Sequence, residues 1–457
     1  IRQWVIAPLN SNNHGLTAPS SSPLYHVFNL VEENSLHPLD DLFNTLKQLW
    51  GSPTDLAGII VFAPLCVTHQ DALKWGGLSG LLKSASREWQ AFSQAINIRL
   101  VYVSLHIDHL QDIIGAEEAQ FTLDLQQLDK HELSIIRYRS VGARERELYE
   151  EKPFEIAHQR PLPQEIKSEV ILATGGARGV TARCIVQLAR QSPEKTFILI
   201  GRTPHPNDAN SSDLNIAKAV DSERELRSQL AKNSIDLDFQ LLKKRAKLAW
   251  AQMEVADTIT TVTKIGARCV YLSMDLNDLD DISFKDQLSL LLDKESMVAE
   301  EITTVIHAAG VIDDQRIHDK TLARFHQVIK PKVDGVRLLL NSLPKASRWL
   351  FFSSVAAALG NQGQSDYAAA NSVLDQLAEC LCEQNGPDDH HVYSARSIQW
   401  GPWRGAGMVD MSLAQVYEDR GIQMISLEEG VTAFMDEWSS LNEPGMNPVT
   451  LRTWPFS

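Results

Sequence analysis

The sequence predicts an α/β fold in two halves, the second a doubly wound parallel sheet interrupted by a helical insertion. Three observations lead there. Short apolar runs of strand length alternate with helical spacings along most of the chain. A glycine-rich turn, residues 174–181, directly follows one such run at Val170–Ala173. The crossover from Pro204 to Lys264 is far longer than the roughly dozen residues that a βαβ unit requires.

At 457 residues the chain exceeds one ordinary core, and its apolar content of 44% supports a core without staples. The longest apolar run, Ala57–Val67, is too short to span a bilayer, so no membrane partner is expected. No basic start with an apolar stretch and cleavage site opens the chain, so no signal peptide is expected. The chain begins at Ile1 rather than Met, which predicts a fragment of a longer polypeptide. A net charge of -15 argues against general nucleic-acid binding but leaves room for a local basic groove. The five scattered cysteines fit a reducing, cytoplasmic setting. Cys380 and Cys382 diverge on a helix, so no metal site is expected.

In the first half, residues 1–151, Gly58–Phe62 reads as a buried strand and Trp75–Trp89 has helical spacing. Ile98–Val103 reads as the next strand, and the segments 132–139 and 145–149 flank Ser140–Ala143 like a closing hairpin. No glycine-rich turn follows a strand here, so this half is expected to be structural. Residues 152–168 carry three prolines and mixed charge, a linker composition. The second half, 169–457, has strand candidates at Val170–Ala173, Thr196–Ile200, Cys269–Leu272, Thr304–Ile306, Trp349–Phe352 and Val392–Ile398. Within the insertion, about 204–264, Ser222–Leu230 and Phe239–Val255 look helical. Packing and solvated charge are its expected role, with docking as the alternative.

The turn contains Thr174, Gly175, Gly176, Arg178, Gly179 and Val180. Its glycines let the backbone approach a pyrophosphate, and the helix that follows offers unpaired N–H groups. Thr181 stands where the last glycine of such turns usually lies. Arg202 ends the second strand of this half, where an acid would favour a free ribose hydroxyl and an Arg favours a 2′-phosphate. NADPH is therefore the expected cofactor. Asp275 and Leu276 follow the third strand, where Asp275 is placed to accept from the adenine amino group. Ala308, Ala309 and Gly310 leave room for the cofactor after the fourth, and His307 is expected to be packed.

The catalytic candidates are Lys332, Ser354, Tyr367 and Asn371. Reducing a carbonyl requires a proton for the developing alkoxide, and a phenol of ordinary pKa ~10 gives one readily only beside a cation. Lys332 supplies that cation and can also bond the nicotinamide ribose. Ser354 and Tyr367 hold the oxygen. Asn371, one helical turn after Tyr367, can anchor water or position Lys332.

These residues, with Ala308–Val311, Lys332–Gly335, Phe352–Ser354, Gly363-Gln364 and Trp400–Trp403, resemble the ketoreductase domain of type I polyketide synthases and related fatty acid synthases. That family lies within the short-chain dehydrogenase/reductases. Most members of that superfamily carry Lys four residues after Tyr, whereas Asn371 stands there in this chain and Lys332 lies upstream. The first half resembles the truncated, cofactor-free subdomain that precedes such reductases, on Gly77–Leu81 leading to Glu88-Trp89. The resemblance implies two Rossmann-like halves. The long insertion resembles reductases of polyunsaturated fatty acid synthases and of some iterative polyketide synthases.

The resemblance further implies a β-ketoacyl thioester on the phosphopantetheine arm of an acyl carrier protein, with neighbouring synthase domains as partners. Trp400 would lie near the nicotinamide, and Gly405–Val409, including Met408, would begin a substrate lid. Ile312, Asp313 and Asp314 resemble the Leu-Asp-Asp signature of reductases that make the D-configured alcohol. Leu359 stands eight residues before Tyr367, where the opposite class carries Trp, and Gln364 belongs to the same substrate-facing set. Gln362 and Asp366 depart from the D-type pattern, which has Pro and often Asn there. The alternatives are a free-standing reductase of small ketones or coenzyme A thioesters, and an inactive scaffold. A nucleotide-sugar epimerase would require Lys at position 371.

Overall fold

The computed structural model describes residues 2–8, 24–31, 36–50, 56–92, 96–104, 110–127, 133–138, 144–151, 169–232, 238–383, 394–405, 414, 423–441 and 448–452. The elements of the first sheet and its helices are β1 (Arg2–Pro8), β2 (Leu24–Asn29), α1 (Pro38–Trp50), β3 (Leu56–Pro64), α2 (His69–Trp75), α3 (Leu78–Ala91), β4 (Asn97–Val103), α4 (Leu110–Gln127), β5 (Leu133–Tyr138) and β6 (Arg144–Glu151). The second set runs β7 (Val170–Thr174), α5 (Gly179–Gln191), β8 (Thr196–Gly201), α6 (Ser211–Lys218), α7 (Glu223–Lys232), α8 (Phe239–Ile265), β9 (Arg268–Ser273) and α9 (Asp281–Lys294). It continues with β10 (Ile302–His307), α10 (Leu322–Ser342), β11 (Arg348–Ser354), α11 (Val355–Leu359), α12 (Ser365–Glu383), β12 (Ser394–Trp400), α13 (Leu427–Ser440) and β13 (Val449–Arg452).

The first sheet has the order β1-β6-β5-β4-β3-β2, with β2 to β5 parallel and β6 antiparallel to both its neighbours. The β5–β6 pair is the expected hairpin. The single helix expected over Trp75–Trp89 is instead two, α2 and α3, broken at Gly76-Gly77. A Cβ on Gly76 would meet the Gln376 side chain at 3.0 Å, and one on Gly77 would meet the carbonyl of Ala369 at 3.3 Å. The break therefore lets the chain pass against α12.

The second sheet is parallel throughout, in the order β13-β12-β11-β10-β7-β8-β9. Its direction of winding reverses between β7 and β10, and a crevice opens beyond the carboxyl ends of strands at such a point. Alternate residues feed two cores. Trp349 and Phe351 of β11 join α9, α10 and α12 on one face, while Leu350 and Phe352 join α5, α8 and α13 on the other. A sheet buried on both faces has near-continuous apolar strands, which is why these runs are visible in the sequence.

At the opposite, amino-terminal edge, the buried carboxylate of Glu169 accepts from Lys195, Thr304 and Arg348. Burial alone would raise its pKa, but Arg348 and Lys195 hold it below the ordinary value. One carboxylate thus ties β7, β8, β10 and β11 together.

The two sheets meet along a helical seam. Helix α3 packs on α12, and a Cβ on Gly80 would lie 2.2 Å from the carbonyl oxygen of Ala368. Ser79 and Ser372 share a hydrogen bond of 2.7 Å in this seam. The apolar core of the first half also takes in Ile317, Phe325 and Ala369.

The insertion differs from the expectation in two respects. It holds a further helix, α6, capped by Asn210, and α8 runs on to Ile265. Leu226, Leu230, Leu242 and Ala246 give it a small core of its own. The short β13 was not anticipated either. The expected linker, 152–168, lies outside the described residues.

Candidate functional site

A cleft of about 1890 Å³ opens at the switch between β7 and β10, and the site is built from the strand ends that face it. At its floor, Val170–Thr174 delivers the chain into the turn before α5. Gly175 has φ +69°, and a Cβ there would meet the Ala308 carbonyl oxygen at 3.0 Å, so only glycine fits this close approach. Gly175, Arg178, Gly179 and Val180 all line the cleft.

Two residues of the turn do other work than expected. Gly176 faces inward, where a Cβ would lie 2.7 Å from that of Ala173, so it serves helix–strand packing. Thr174 is fully buried, and its Oγ1 accepts from the amides of Ala308 and Ala309 at 3.2 Å each. These residues line neither the cleft nor the smaller cavity beside it; they hold together the two strand ends that form the crevice.

Thr174 also begins a relay. His307 Nε2 lies 2.9 Å from the Lys332 carbonyl, which can only accept, so this nitrogen carries the hydrogen. Nδ1 is then the acceptor for the Thr174 hydroxyl at 2.8 Å. Burial, reinforced by the charge on Lys332, pushes His307 down to about 3 and keeps it neutral. His307 is packed, as its sequence context implies, and it locks the backbone of Lys332.

Lys332 follows Pro331 in α10 and is buried. Its Nζ donates to the Phe352 carbonyl at 2.7 Å and stands 6.0 Å from the centre of the Tyr367 ring. A Cβ on Gly310 would meet Lys332 Cε at 2.9 Å, so this glycine makes room for the lysine. Burial is the main cause that pushes the ammonium down to about 7, and Asp375 acts in the opposite sense.

Lys332, Ser354 and Tyr367 line one cleft, together with Trp400 and the Ala308–Gly310 segment. Ser354 ends β11 and caps α11, its Oγ accepting from the Ala356 amide at 3.2 Å. Tyr367 lies in the first turn of α12. Asn371 is fully buried on the same helix, and its Nδ2 donates to the Tyr367 carbonyl at 2.7 Å. It makes no hydrogen bond to Lys332, whose Nζ bonds Phe352 instead; its Oδ1 has no partner among the described residues.

The smaller cavity adjoins the turn and is bordered by Arg202, Asp275, Leu276 and Gly175. Arg202 is exposed at the end of β8 and has no ion-pair partner among the described residues. Asp275 accepts from the Asn277 amide at 3.1 Å, capping a short turn. The residues here fit a nicotinamide dinucleotide: a glycine approach that a Cβ would fill, a helix amino terminus and an exposed guanidinium.

The substrate-facing candidates separate. Ile312, Asp314, Leu359 and Gln364 line the cleft, and Gln364 Nε2 donates to Asp314 at 3.0 Å. Asp313 does not line it. Arg324 grips its carboxylate in a fork, with Nε at 2.6 Å, so the side chain is structural. Met408, and the lid expected over Gly405–Val409 beyond Gly405 itself, lie outside the described residues.

Four participants were missed from the sequence. Glu254 of α8 pairs with Arg178 at 2.6 Å, and Thr258 donates to the Ala177 carbonyl at 2.9 Å. The insertion therefore forms a wall of the cleft rather than a distant appendage. Asp375, eight residues after Tyr367 on α12, is buried between Ser397 and Gln399 at 2.6 and 2.7 Å. Its helical spacing from Tyr367 and Asn371 was the available signal. Glu88 of α3 reaches the loop before Tyr367 from the other half of the chain. Among the described residues there is no cluster able to hold a metal, and no helix long and apolar enough to cross a membrane.

Comparisons with known proteins bear on the family and the fold. A family model described as the KR domain matches residues 170–405. One component of a polyunsaturated fatty acid synthase from Thraustochytrium sp. is 27% identical over 78% of this chain, which spans 12% of that relative's length. A solved ketoreductase domain from the bacillaene assembly line is similar in fold, with a TM-score of 0.63 at 21% identity, covering 98% of this chain and 96% of the other. A ketoreductase from the first module of phoslactomycin biosynthesis in Streptomyces sp. HK803 gives a TM-score of 0.65 at 17% identity, covering 98% and 92%.

Proposed function

Because the chain belongs to the KR, or ketoreductase, domain family, we propose that it reduces a β-ketoacyl thioester to the β-hydroxyacyl thioester with NADPH. The observation that carries this reading is the convergence of Lys332, Ser354 and Tyr367 on one cleft with the glycine-rich turn. The substrate would arrive on the phosphopantetheine arm of an acyl carrier protein, beside neighbouring domains of a polyketide or fatty acid synthase, in the reducing cytoplasm that five free cysteines suit. We divide the chain accordingly into a structural subdomain, 1–151, a linker, 152–168, and a catalytic subdomain, 169–457.

The turn and the amino terminus of α5 would hold the pyrophosphate, Arg202 the 2′-phosphate, and Asp275 the adenine. When bound, NADPH supplies the hydride that reaches the ketone carbon. Tyr367 donates its phenolic proton to the ketone oxygen, and Ser354 donates a hydrogen bond to the same oxygen while charge develops. The Lys332 ammonium stabilises the phenolate that remains. Asn371 offers its Oδ1 to an ordered water.

We assign the product the D configuration, 3R for an unsubstituted chain. Ile312, Asp314 and Leu359 border the cleft, Gln364 donates to Asp314, and Leu359 stands where the opposite class carries Trp. Incubating the chain with NADPH and a β-ketobutyryl thioester, followed by chiral chromatography, tests both claims. No oxidation of NADPH overturns the reductase reading; a mainly L-configured alcohol overturns the stereochemical one.

A further inference from the structure

We propose that Glu88, in the first half of the chain, is a positioning residue that sets how an acyl chain enters the cleft. The proposal rests on the reading of that cleft as a β-ketoacyl site. Two segments border the entrance: 311–317, which leaves β10, and 359–364, which leads into Tyr367. They touch directly where the Gln315 amide donates to the Gly363 carbonyl at 2.8 Å. Both then converge on one carboxylate of the other half. The Ile317 amide donates to Glu88 Oε2 at 2.9 Å, and the Gly363 amide donates to Oε1 at 3.0 Å.

Glu88 is 1% exposed, and burial outweighs these two hydrogen bonds to raise its pKa above the ordinary value. A buried carboxylate committed to two amides from different segments fixes the distance between them. Its neighbours on α3 reinforce the second segment. Ser84 Oγ accepts from the Asn361 amide at 3.2 Å, and Arg87 Nε donates to the Leu359 carbonyl at 3.2 Å. The Lys83 ammonium reaches the Ala357 carbonyl at 3.1 Å. Gly360, with φ +69°, lies so close that a Cβ would be 2.4 Å from the Lys83 backbone. Leu359, Asn361, Gln362 and Gly363 line the cleft, so this face of α3 shapes the wall of the site.

Among the described residues Glu88 makes no hydrogen bond to the cofactor turn, and this separates its role from general scaffolding. Glu88→Gln keeps the shape but turns an NH₂ toward one of the two amides. We expect kcat/KM for a β-ketobutyryl thioester to fall about tenfold, chiefly through KM, and the minor alcohol enantiomer to rise about threefold or more. The dissociation constant of NADPH, read by its fluorescence, should stay within about twofold. Hydrogen exchange should quicken at 311–317 and 359–364 and remain unchanged at 174–182.

A folded Glu88→Gln chain with parental thioester KM and enantiomer ratio overturns the proposal, whatever the exchange shows. If that variant does not fold, Ser84→Ala removes only the Asn361 anchor. The same losses at smaller size support the clamp, and parental behaviour overturns it. A parent chain that reduces no β-ketothioester overturns the functional reading instead, and hydrogen exchange in the variants still decides whether Glu88 holds the two segments.

Discussion

Lys332 Nζ donates to the carbonyl of Phe352, two residues before Ser354 on the same strand. The ammonium is therefore fixed from β11 as well as from its own helix. Buried there, it is pushed down to about 7 from an ordinary 10.5, so its charge is lost as pH rises through about 7. The rate of reduction should decline across that range. Asp375 acts to keep the proton on Lys332, and burial raises its own carboxyl to about 6, so its support is complete only above that pH. Asp375→Asn should move the alkaline limb of kcat/KM against pH to lower values, and an unmoved limb would contradict the coupling. The unfolded chain binds the lysine proton more tightly, so this residue's contribution to stability improves as pH rises from about 7 toward 10.5.

Tyr367→Phe removes the phenol beside Lys332 while leaving the ring in place. Turnover should fall by about 10²–10⁴-fold, the usual worth of a general acid, with NADPH binding retained by fluorescence titration. Near-parental turnover would mean that another group supplies the proton.

Arg202→Ala should raise the KM for NADPH and leave that for NADH nearly unchanged, because only the 2′-phosphate loses a partner. Steady-state kinetics with both cofactors checks this. Equal use of the two by the parent chain would remove Arg202 from the phosphate site.

Gly80→Val places a side chain where even a Cβ lies 2.2 Å from the Ala368 carbonyl oxygen. Overpacking of this kind costs about 1–3 kcal/mol, and the urea midpoint should fall accordingly. Because Ala368 adjoins Tyr367, turnover should fall in the folded variant as well. A variant as stable as its parent would show that the two helices can part freely.

What was legible in the sequence follows from how each signal is carried. The parallel strands β7 to β12 announce themselves because both faces are buried, and Tyr367 with Asn371 because one helical turn sets their spacing. The small β13 was not legible, since four residues with Thr450 among them show no pattern. Partners distant in the chain were hidden as well. Asp313 looked like an entrance residue because nothing local reveals the grip of Arg324. Thr174 reads as a cofactor contact from its place in the glycine-rich turn, and nothing local reveals that its hydroxyl faces a strand end 133 residues away. Glu254 lay in an insertion whose alternation of charge and apolar residues looks the same whether it borders a cleft or solvent.

The seam between α3 and α12 bears on how such an enzyme can be transplanted. Helix α12 presents Tyr367 on one side and receives Gly76, Gly77 and Gly80 of the other half against its neighbouring turns. A hybrid that replaced one half alone would set a foreign helix against that backbone, where at Gly80 the tolerance is less than one methyl group. Recombination between related ketoreductase domains should therefore succeed when both halves travel as a single cassette. Hybrids joined between them should need the glycines of α2–α3 and the small residues of α12 to come from one parent.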